Sequence, residues 1–233
     1  MMRKTVRGTS MAYVVEPQKP VALPVAGTSD LFPVRRFYTC GGNYTQRPGD
    51  PDGPRPIMLK PVDGIVPGGG NIPYAMGTEW LDHEVEMIFA IHKGGANITR
   101  ERALDHVYGY GIMFDMVRHD ILNELRKRIR PQDICKAFTG GSPCTAIQPV
   151  SKIGHIKKGA IWMTLNDVEK QRADIADLIW DVAECIVQLS KLDRLEPGDV
   201  VSTGTPAEPS PVKRGDRLHG HVDGIGDLHC TVV

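Results

Sequence analysis

Three acidic residues on two short segments are the groups in this sequence whose spacing could do chemistry. Glu84 and Glu86 lie in the run Asp82–Ala90, and Asp115 ends the run Gly109–Asp115. Both runs are rich in β-branched, aromatic and Met residues, which predicts strands, and alternation along a strand puts Glu84 and Glu86 on one face. Unpaired buried carboxylates are very costly, and a hard divalent cation with oxygen ligands would neutralise them. The pattern predicts a site for Mg²⁺ or Mn²⁺, with Ca²⁺ as a further candidate; two glutamates on the wet face of an amphipathic strand are the alternative interpretation.

A series of short motifs extends this pattern from about Val34 to the C-terminus. The motifs are Arg36-Phe37-Tyr38, Gly42-Asn43-Tyr44, Lys60-Pro61-Val62-Asp63, Ile72-Pro73-Tyr74, His83-Glu84-Val85-Glu86, Gly109-Tyr110, Asp115-Met116, Arg118, Asp120, Lys136-Ala137-Phe138, Pro197-Gly198-Asp199, Thr203-Gly204-Thr205-Pro206, Arg214-Gly215-Asp216 and Gly224-Ile225-Gly226-Asp227-Leu228. No single motif is decisive. Their order and spacing resemble the fumarylacetoacetate hydrolase family, in its fumarylpyruvate hydrolase-like branch.

The resemblance implies a fold, a site and a reaction. It implies a mixed β-sandwich or β-roll, a homodimer, and a role in the breakdown of aromatic compounds. By the same resemblance Glu84, Glu86 and Asp115 are the metal ligands, while Lys136 and Thr205 face a small 2-oxo acid substrate. Tyr44 and Gly204 belong to glycine-containing turns where backbone can approach a ligand closely, and we assign both to substrate binding.

The segment after Asn43-Tyr44 departs from the family pattern. Members of this family usually carry a His and, three residues on, a Glu, which together activate water; here these positions fall on Arg47 and Asp50. Arginine does not deprotonate in proteins, so Arg47 cannot be a general base. Asp50 or Asp52 could take the proton if the loop folds over the site, or both could be solvated turn carboxylates.

A second departure follows Asp115. The family usually places an active-site arginine four residues after the metal aspartate, and here that position is His119, with Arg118 just before it. A glutamine often found three residues later is Leu122. We assign substrate binding to Arg118, and a catalytic role to His119, whose reference pKa lies near neutrality; a surface histidine at a helix start is the alternative. Lys136 and Asp50 complete the catalytic assignments.

The elements that position these residues predict an α+β fold with a β-rich core. Residues 1–32, with three prolines, predict an N-terminal arm, and residues 33–233 form the catalytic domain. Further elements are predicted as helices over Thr99–Tyr108, from Met116 to before Pro131 and over Asp181–Lys191, a strand end and loop over Lys136–Ser142, and a hairpin turning at Asn166-Asp167.

Composition limits the classes of partner and compartment. The chain has 233 residues, 41% hydrophobic and 24% charged, as expected of a globular protein. A formal net charge of zero argues against nucleic acid or an anionic membrane as a partner, and no apolar run is long enough for a membrane span. Five cysteines without a C-x-x-C pair argue against a disulfide framework or structural zinc, which favours a reducing cytoplasm.

Three functional hypotheses follow from these residues. The first is a metal-dependent hydrolase that cleaves a C–C bond in an acylpyruvate such as fumarylpyruvate. The second keeps the metal and an enolate but needs no water, as in decarboxylation of a 2-oxo diacid, tautomerisation or isomerisation; the changes at Arg47, His119 and Leu122 favour it. The third is a binding protein of the same fold that has lost catalysis.

Overall fold

Strands dominate the protein, whose computed structural model describes residues 13–45 and 53–233. The strands within these ranges are β1 (Ala22–Pro24), β2 (Leu31–Pro33), β3 (Arg36–Cys40), β4 (Ile57–Lys60), β5 (Ile65–Pro67), β6 (Gly70–Ile72), β7 (Leu81–Ile91), β8 (Val107–Arg118), β9 (Ser142–Cys144), β10 (Gln148–Pro149), β11 (Ala160–Leu165), β12 (Val168–Asp174), β13 (Asp199–Ser202), β14 (Ser210–Val212), β15 (Arg217–Val222) and β16 (Gly226–Val232). The α-helices are α1 (Arg100–Ala103), α2 (His119–Lys127), α3 (Asp133–Lys136), α4 (Val150–Ile153) and α5 (Val182–Leu192). This content agrees with the α+β, β-rich fold predicted from the sequence.

A nine-stranded sheet carries the acidic residues at its centre. Its main path runs β4-β3-β13-β7-β8-β9-β5, with β10 and β14 pairing at the ends of β8 and β7. The long antiparallel pair β7–β8 lies in the middle, and all eleven residues of β7 are buried. A strand that is covered on both faces is usually apolar along almost its whole length. The three acidic residues of β7, Asp82, Glu84 and Glu86, are exceptions to this pattern.

A five-stranded sheet, ordered β12-β11-β15-β16-β6, packs on the other face of β7 and β8. Val85 and Phe114 meet Ile161, Met163 and Leu218 in one apolar cluster between the two sheets. Gly220 marks the closest approach, because a Cβ there would lie 2.7 Å from the Phe114 ring. The apolar face of β7–β8 is thus buried in this sandwich, and the acidic face is left for the site.

Two predicted helices are shorter than expected. The helix predicted over Thr99–Tyr108 is limited to α1 and a 3-10 turn at Leu104–His106, since β8 already begins at Val107. Thr99 makes no side-chain capping hydrogen bond, and cross-strand pairing of Val107 with Ile91 extends the strand instead. The helix predicted from Met116 begins at His119 because β8 continues to Arg118.

Of the remaining predicted elements, one differs from the structure and two agree with it. Lys136, predicted to begin a strand end and loop, is instead the last residue of helix α3. The hairpin turn at Asn166-Asp167 has φ of 50° and 66°, as a two-residue hairpin turn requires, and it joins β11 to β12. Asp181 accepts a hydrogen bond from the Glu184 backbone N–H and caps α5, as the sequence predicts.

The described part of the N-terminal segment is a small hairpin of β1 and β2. Leu23 and Phe32 are buried in a second apolar cluster with Phe37 and Ile88, on the side of the large sheet that also bears the acids. Residue 32, predicted as the end of the arm, lies inside β2, and this domain boundary stays a prediction. Within the described ranges, no helix is long and apolar enough to cross a membrane.

Candidate metal centre and substrate cleft

The three predicted ligands meet on one face of the β7–β8 pair. Glu84 lies directly opposite Asp115 in the register of the two strands, and Glu86 lies two residues further along β7. All three are buried, and one carboxylate oxygen from each lies within 4.8 Å of the others. An oxygen-only set of this size suits a hard divalent cation such as Mg²⁺ or Mn²⁺.

Two buried lysines neutralise part of this negative charge. Lys136 donates to Glu84 Oε2 at 2.7 Å and to Asp115 Oδ2 at 2.5 Å. Lys60 donates to Asp115 Oδ1 at 2.5 Å and to the carbonyl of Gly141 at 3.1 Å. Burial alone would raise the pKa of Asp115, but Lys136 and then Lys60 outweigh it and hold this pKa below its usual range. Asp115 is therefore the carboxylate most firmly kept in its charged form.

Glu86 carries the charge that the lysines leave uncompensated. The Ser202 hydroxyl donates to Glu86 Oε2, and burial, followed by the charge of Asp115, raises the Glu86 pKa to about 8. Three carboxylates face two ammonium groups, so one negative charge must take up a proton or meet another cation. The donor set and this charge deficit both fit a divalent ion.

The site opens into a cleft of about 470 Å³. Its lining is Thr39, Gly41, Gly42, Pro54, Arg55, Pro56, Met58, Glu84, Glu86, Asp115, Leu122, Arg126, Gln132, Lys136, Thr205 and Glu208. The cleft therefore joins the acidic centre to helix α2 and to the loops around Gly41 and Thr205. Its size is in the range of small-molecule sites.

The loop after β13 brings Thr205 to the cleft. Gly204 has a φ of +88°, and a Cβ there would collide with the carbonyl oxygen of Cys40. The Gln171 side chain supports the loop: its amide N–H donates to Thr205 Oγ1 at 3.0 Å, and its carbonyl accepts from the backbone N–H of Val85 at 2.9 Å. Because Thr205 Oγ1 accepts this bond, its own O–H remains available to donate into the cleft.

The turn at Gly41–Tyr44 is held by Asn43 rather than by Tyr44. The Asn43 amide donates to the carbonyls of Trp180 and Thr203, and its oxygen accepts from the Trp180 N–H. Tyr44 is part of the main apolar core and is not among the described residues lining the cleft. Burial, and then the charge of Glu86, raise the pKa of Tyr44 above its usual range.

Arg118 and His119 are not among the described residues that line the cleft. Arg118 donates to the carbonyl of Ile134 at 3.1 Å, and its guanidinium stacks over the ring of Phe138. His119 Nδ1 lies 2.6 Å from Oδ2 of Asp82, the buried acid two residues before Glu84 on the same face of β7.

The His119 ring is fixed on a second side. It stacks on the Trp80 ring with centroids 4.5 Å apart, and the Trp80 indole N–H donates to the other oxygen of Asp82. His119 is thus a positioned histidine rather than a free surface one. Asp50, the remaining predicted catalytic residue, lies with Arg47 outside the described residues.

Sequence reasoning missed several groups at this site. Lys60 has no role in the site predicted from the sequence, but it is buried against Asp115. Ser202 directly precedes the Thr203-Gly204-Thr205 motif, so its position was a usable signal. Gln171 lies on β12, where the neighbouring residues are mostly exposed, and nothing local in the sequence indicates its role.

Relatives of known activity share most of this chain. A fumarylpyruvate hydrolase from Ralstonia sp is 35% identical over 168 residues, which cover 72% of this chain and 87% of that protein. The human mitochondrial oxaloacetate tautomerase FAHD1 is 31% identical over 176 residues, covering 76% of this chain and 80% of that protein. The crystal structure of fumarylpyruvate hydrolase from Pseudomonas aeruginosa in complex with Mn²⁺ and pyruvate has a TM-score of 0.92 and 38% identity, covering 95% of this chain and 99% of that chain.

A family model describes the same region of the chain. The model for the fumarylacetoacetate (FAA) hydrolase C-terminal region matches residues 37–233, which include both sheets and the whole described cleft. The resemblance predicted from the motifs is therefore confirmed, and the chain belongs to the fumarylacetoacetate hydrolase family.

Proposed function

We propose that the protein is a metal-dependent hydrolase that cleaves a C–C bond in an acylpyruvate. The observation that carries this proposal is the buried set of Glu84, Glu86 and Asp115, which opens with Lys136 into a small-molecule cleft. The structural relative solved with Mn²⁺ and pyruvate, similar over 95% of this chain, supports both the ion and the 2-oxo acid. Mg²⁺ and Mn²⁺ both suit the donor set.

The reaction consumes one water for each bond broken. The water oxygen bonds to the acyl carbonyl carbon, the bond from that carbon to the pyruvoyl methylene breaks, and its electron pair forms the pyruvate enolate. A proton then reaches the methylene carbon, which gives pyruvate and a carboxylic acid. The bound cation supplies Lewis-acid polarisation of the 2-oxo acid.

Residues of this chain would hold the developing charge. Lys136 uses two of its three N–H donors on Glu84 and Asp115, which leaves one for the substrate. The Thr205 hydroxyl can donate to the same ligand, because the bond from Gln171 uses an oxygen lone pair and not the O–H. Donors fixed in advance stabilise an enolate without reorganisation.

Proton transfer is the step for which two groups compete. Asp50 is proposed to take the proton from water, as the residue at the family's Glu position. His119, held between Asp82 and Trp80, is the alternative general base or acid. Arg118 is proposed to contribute positive charge to substrate binding next to His119, and Gly204 and Tyr44 to shape the loops around the substrate.

A second candidate function is tautomerisation or decarboxylation of a 2-oxo diacid at the same site. It is favoured by the replacement of the family's His-Glu pair with Arg47 and Asp50, since these reactions require no attacking water. The sequence identity of 31% with the human mitochondrial oxaloacetate tautomerase FAHD1 also favours it. Both candidates would use the same cation, and both pass through the enolate of a 2-oxo acid.

One assay separates these candidates. The protein is incubated with Mn²⁺ and fumarylpyruvate or acetylpyruvate, and pyruvate release is measured. Oxaloacetate tautomerisation and CO₂ release are followed in parallel. Pyruvate release that stops with a chelator supports the hydrolase, whereas turnover of oxaloacetate without acylpyruvate cleavage selects the second candidate.

Matched variants test the cation site itself. Glu84→Gln and Asp115→Asn should each lower activity at least about 100-fold, because each removes an anionic ligand. Glu169→Gln, which changes an exposed carboxylate paired with Arg172, is the control. Activity that persists in both ligand variants and after chelation would overturn the metal-dependent function.

The assembly and the compartment are proposed as well. The family resemblance supports a homodimer, which sedimentation equilibrium would test. All five cysteines are free and buried in the structure, which supports a reducing compartment such as the cytoplasm. A role in aromatic compound breakdown is proposed from the family resemblance alone.

A further inference from the structure

Arg126 is a cleft residue that the proposed chemistry does not use. It lies near the end of α2, its side chain is exposed, and it lines the same cleft as the acidic centre. No described residue accepts a hydrogen bond or ion pair from its guanidinium. A cation that faces a ligand cleft without a protein partner is available to an anionic ligand.

The neighbouring charges of α2 are already paired on the protein surface. Lys127 lies 3.1 Å from Glu124 Oε1, and Arg128 lies 3.7 Å from Glu124 Oε2. The other described cations lining the cleft are engaged too: Arg55 donates to the carbonyls of Gly42 and Gly53, and Lys136 donates to the acidic centre. Arg126 thus differs from the basic groups around it.

The surface of α2 that faces the cleft changes from apolar to cationic along the helix. Leu122 is buried and lines the cleft, and Arg126 follows four residues later on the same helical face. Four residues advance the helix by about 6 Å. Arg126 therefore lies about one helical turn beyond Leu122 along α2.

This order matches a ligand with three parts. A pyruvoyl group would lie at the acidic centre with Lys136, a carbon chain would pass Leu122 and Met58, and a terminal anion would meet Arg126. The planar guanidinium fork fits a carboxylate in bidentate fashion. Gln132 also lines the cleft and provides an amide beside the same region.

We propose that Arg126 binds a carboxylate at the far end of the acyl group. Among acylpyruvates, this residue would select those whose acyl group is itself an acid, such as fumarylpyruvate, over those with an apolar acyl group. This inference rests on the proposed acylpyruvate hydrolase function and adds its specificity-determining residue.

The first test compares two substrates that differ at the acyl end. Fumarylpyruvate has a terminal carboxylate and acetylpyruvate has a methyl group, and kcat and KM are measured for both with Mn²⁺ present. In Arg126→Met the ratio of kcat/KM for fumarylpyruvate over acetylpyruvate should fall roughly ten- to hundredfold, mainly through KM. Arg126→Lys should recover part of this ratio, because it keeps the charge but not the fork. Arg128→Met, one of the paired residues, is the control and should leave the ratio within about twofold of wild type.

The second test needs no turnover. Calorimetry with the Mn²⁺-loaded protein compares 2-oxoheptanedioate with 2-oxoheptanoate, which have equal chain length and differ only in the terminal carboxylate. The wild type should bind the diacid about tenfold tighter, and Arg126→Met should lose that preference.

The two tests separate this inference from the proposed function. If the wild type cleaves acylpyruvates but shows no preference for the diacid in either test, the Arg126 assignment is wrong and the hydrolase stands. If the diacid preference depends on Arg126 and no acylpyruvate is cleaved, the assignment stands and the hydrolase is wrong. Equal losses on both substrates in Arg126→Met would also overturn the assignment, because they would indicate a general role in folding or binding.

Discussion

Replacing Asn43 should loosen three segments around the cleft at once. Its side chain is fully buried and makes three hydrogen bonds with backbone groups: to the carbonyls of Trp180 and Thr203 at 2.9 and 3.0 Å, and from the Trp180 N–H at 2.8 Å. These bonds tie the turn at Gly41–Tyr44 to the segment before α5 and to the loop that carries Thr205. Asn43→Ala removes all three and leaves buried backbone groups without partners.

The size of the effect follows from that count. A typical intramolecular hydrogen bond contributes about 1 kcal/mol net, so three give a loss of about 3 kcal/mol in the free energy of unfolding. For a domain of this size, that corresponds to a fall in Tm of roughly 6–12 °C. Asn43→Asp should cost at least as much, because it places a carboxylate oxygen against two carbonyl oxygens.

Thermal unfolding followed by circular dichroism, with urea titration for the free energy, measures this loss. Asn123→Ala is the matched control: Asn123 lies in the middle of α2, and alanine is the better helix former, so no destabilisation is expected. A Tm for Asn43→Ala within about 2 °C of wild type would refute the assumption that these bonds hold the cleft together.

Two further predictions concern charge and thiols. Asp199 is fully buried and accepts two hydrogen bonds from the Arg36 guanidinium, at 2.9 and 2.7 Å, so Asp199→Ala should lower the free energy of unfolding by about 3–5 kcal/mol in urea titration. Asp193→Ala, which removes an exposed partner of the same arginine, should cost less than about 1 kcal/mol, and equal losses would contradict the importance of burial. All five cysteines are buried, and burial raises the pKa of Cys230 to about 12. The native protein should therefore react with less than one equivalent of Ellman's reagent at about pH 8, and with five equivalents after unfolding in urea. Rapid labelling of the folded protein would show that a thiol reaches the surface.

Local periodicity predicted the parts of this site that lie on regular strands. Alternation along β7 is a property of a few neighbouring residues, and it was enough to place Glu84 and Glu86 on one face. Asp115 was added by the family resemblance, and the register of β7 and β8 sets it opposite Glu84. The hairpin turn at Asn166-Asp167 was predictable for the same reason, since both residues tolerate positive φ.

Contacts between distant segments could not be read in this way. Lys60 donates a hydrogen bond to Asp115 although the two residues are 55 positions apart in the sequence. In the sheet, β3, β13 and β7 lie between β4, which carries Lys60, and β8, which carries Asp115. Gln171 accepts a hydrogen bond from the backbone N–H of Val85, although the two residues are 86 positions apart in the sequence and lie in different sheets. Such pairs depend on strand order, which local pattern does not specify. The shortened helix at Thr99 has a related cause, since pairing with β7 extended β8 into the predicted helix.

The two lysines at the acidic centre also allow the polypeptide to fold before the ion binds. With Lys60 and Lys136 already seated among the acids, the chain can reach its final shape while the cation is scarce. Metallation is then a reversible event that follows assembly. A chelator would remove the ion and leave a folded protein that can bind the ion again. The cellular supply of the ion, rather than protein turnover, would then set the fraction of the enzyme that is active.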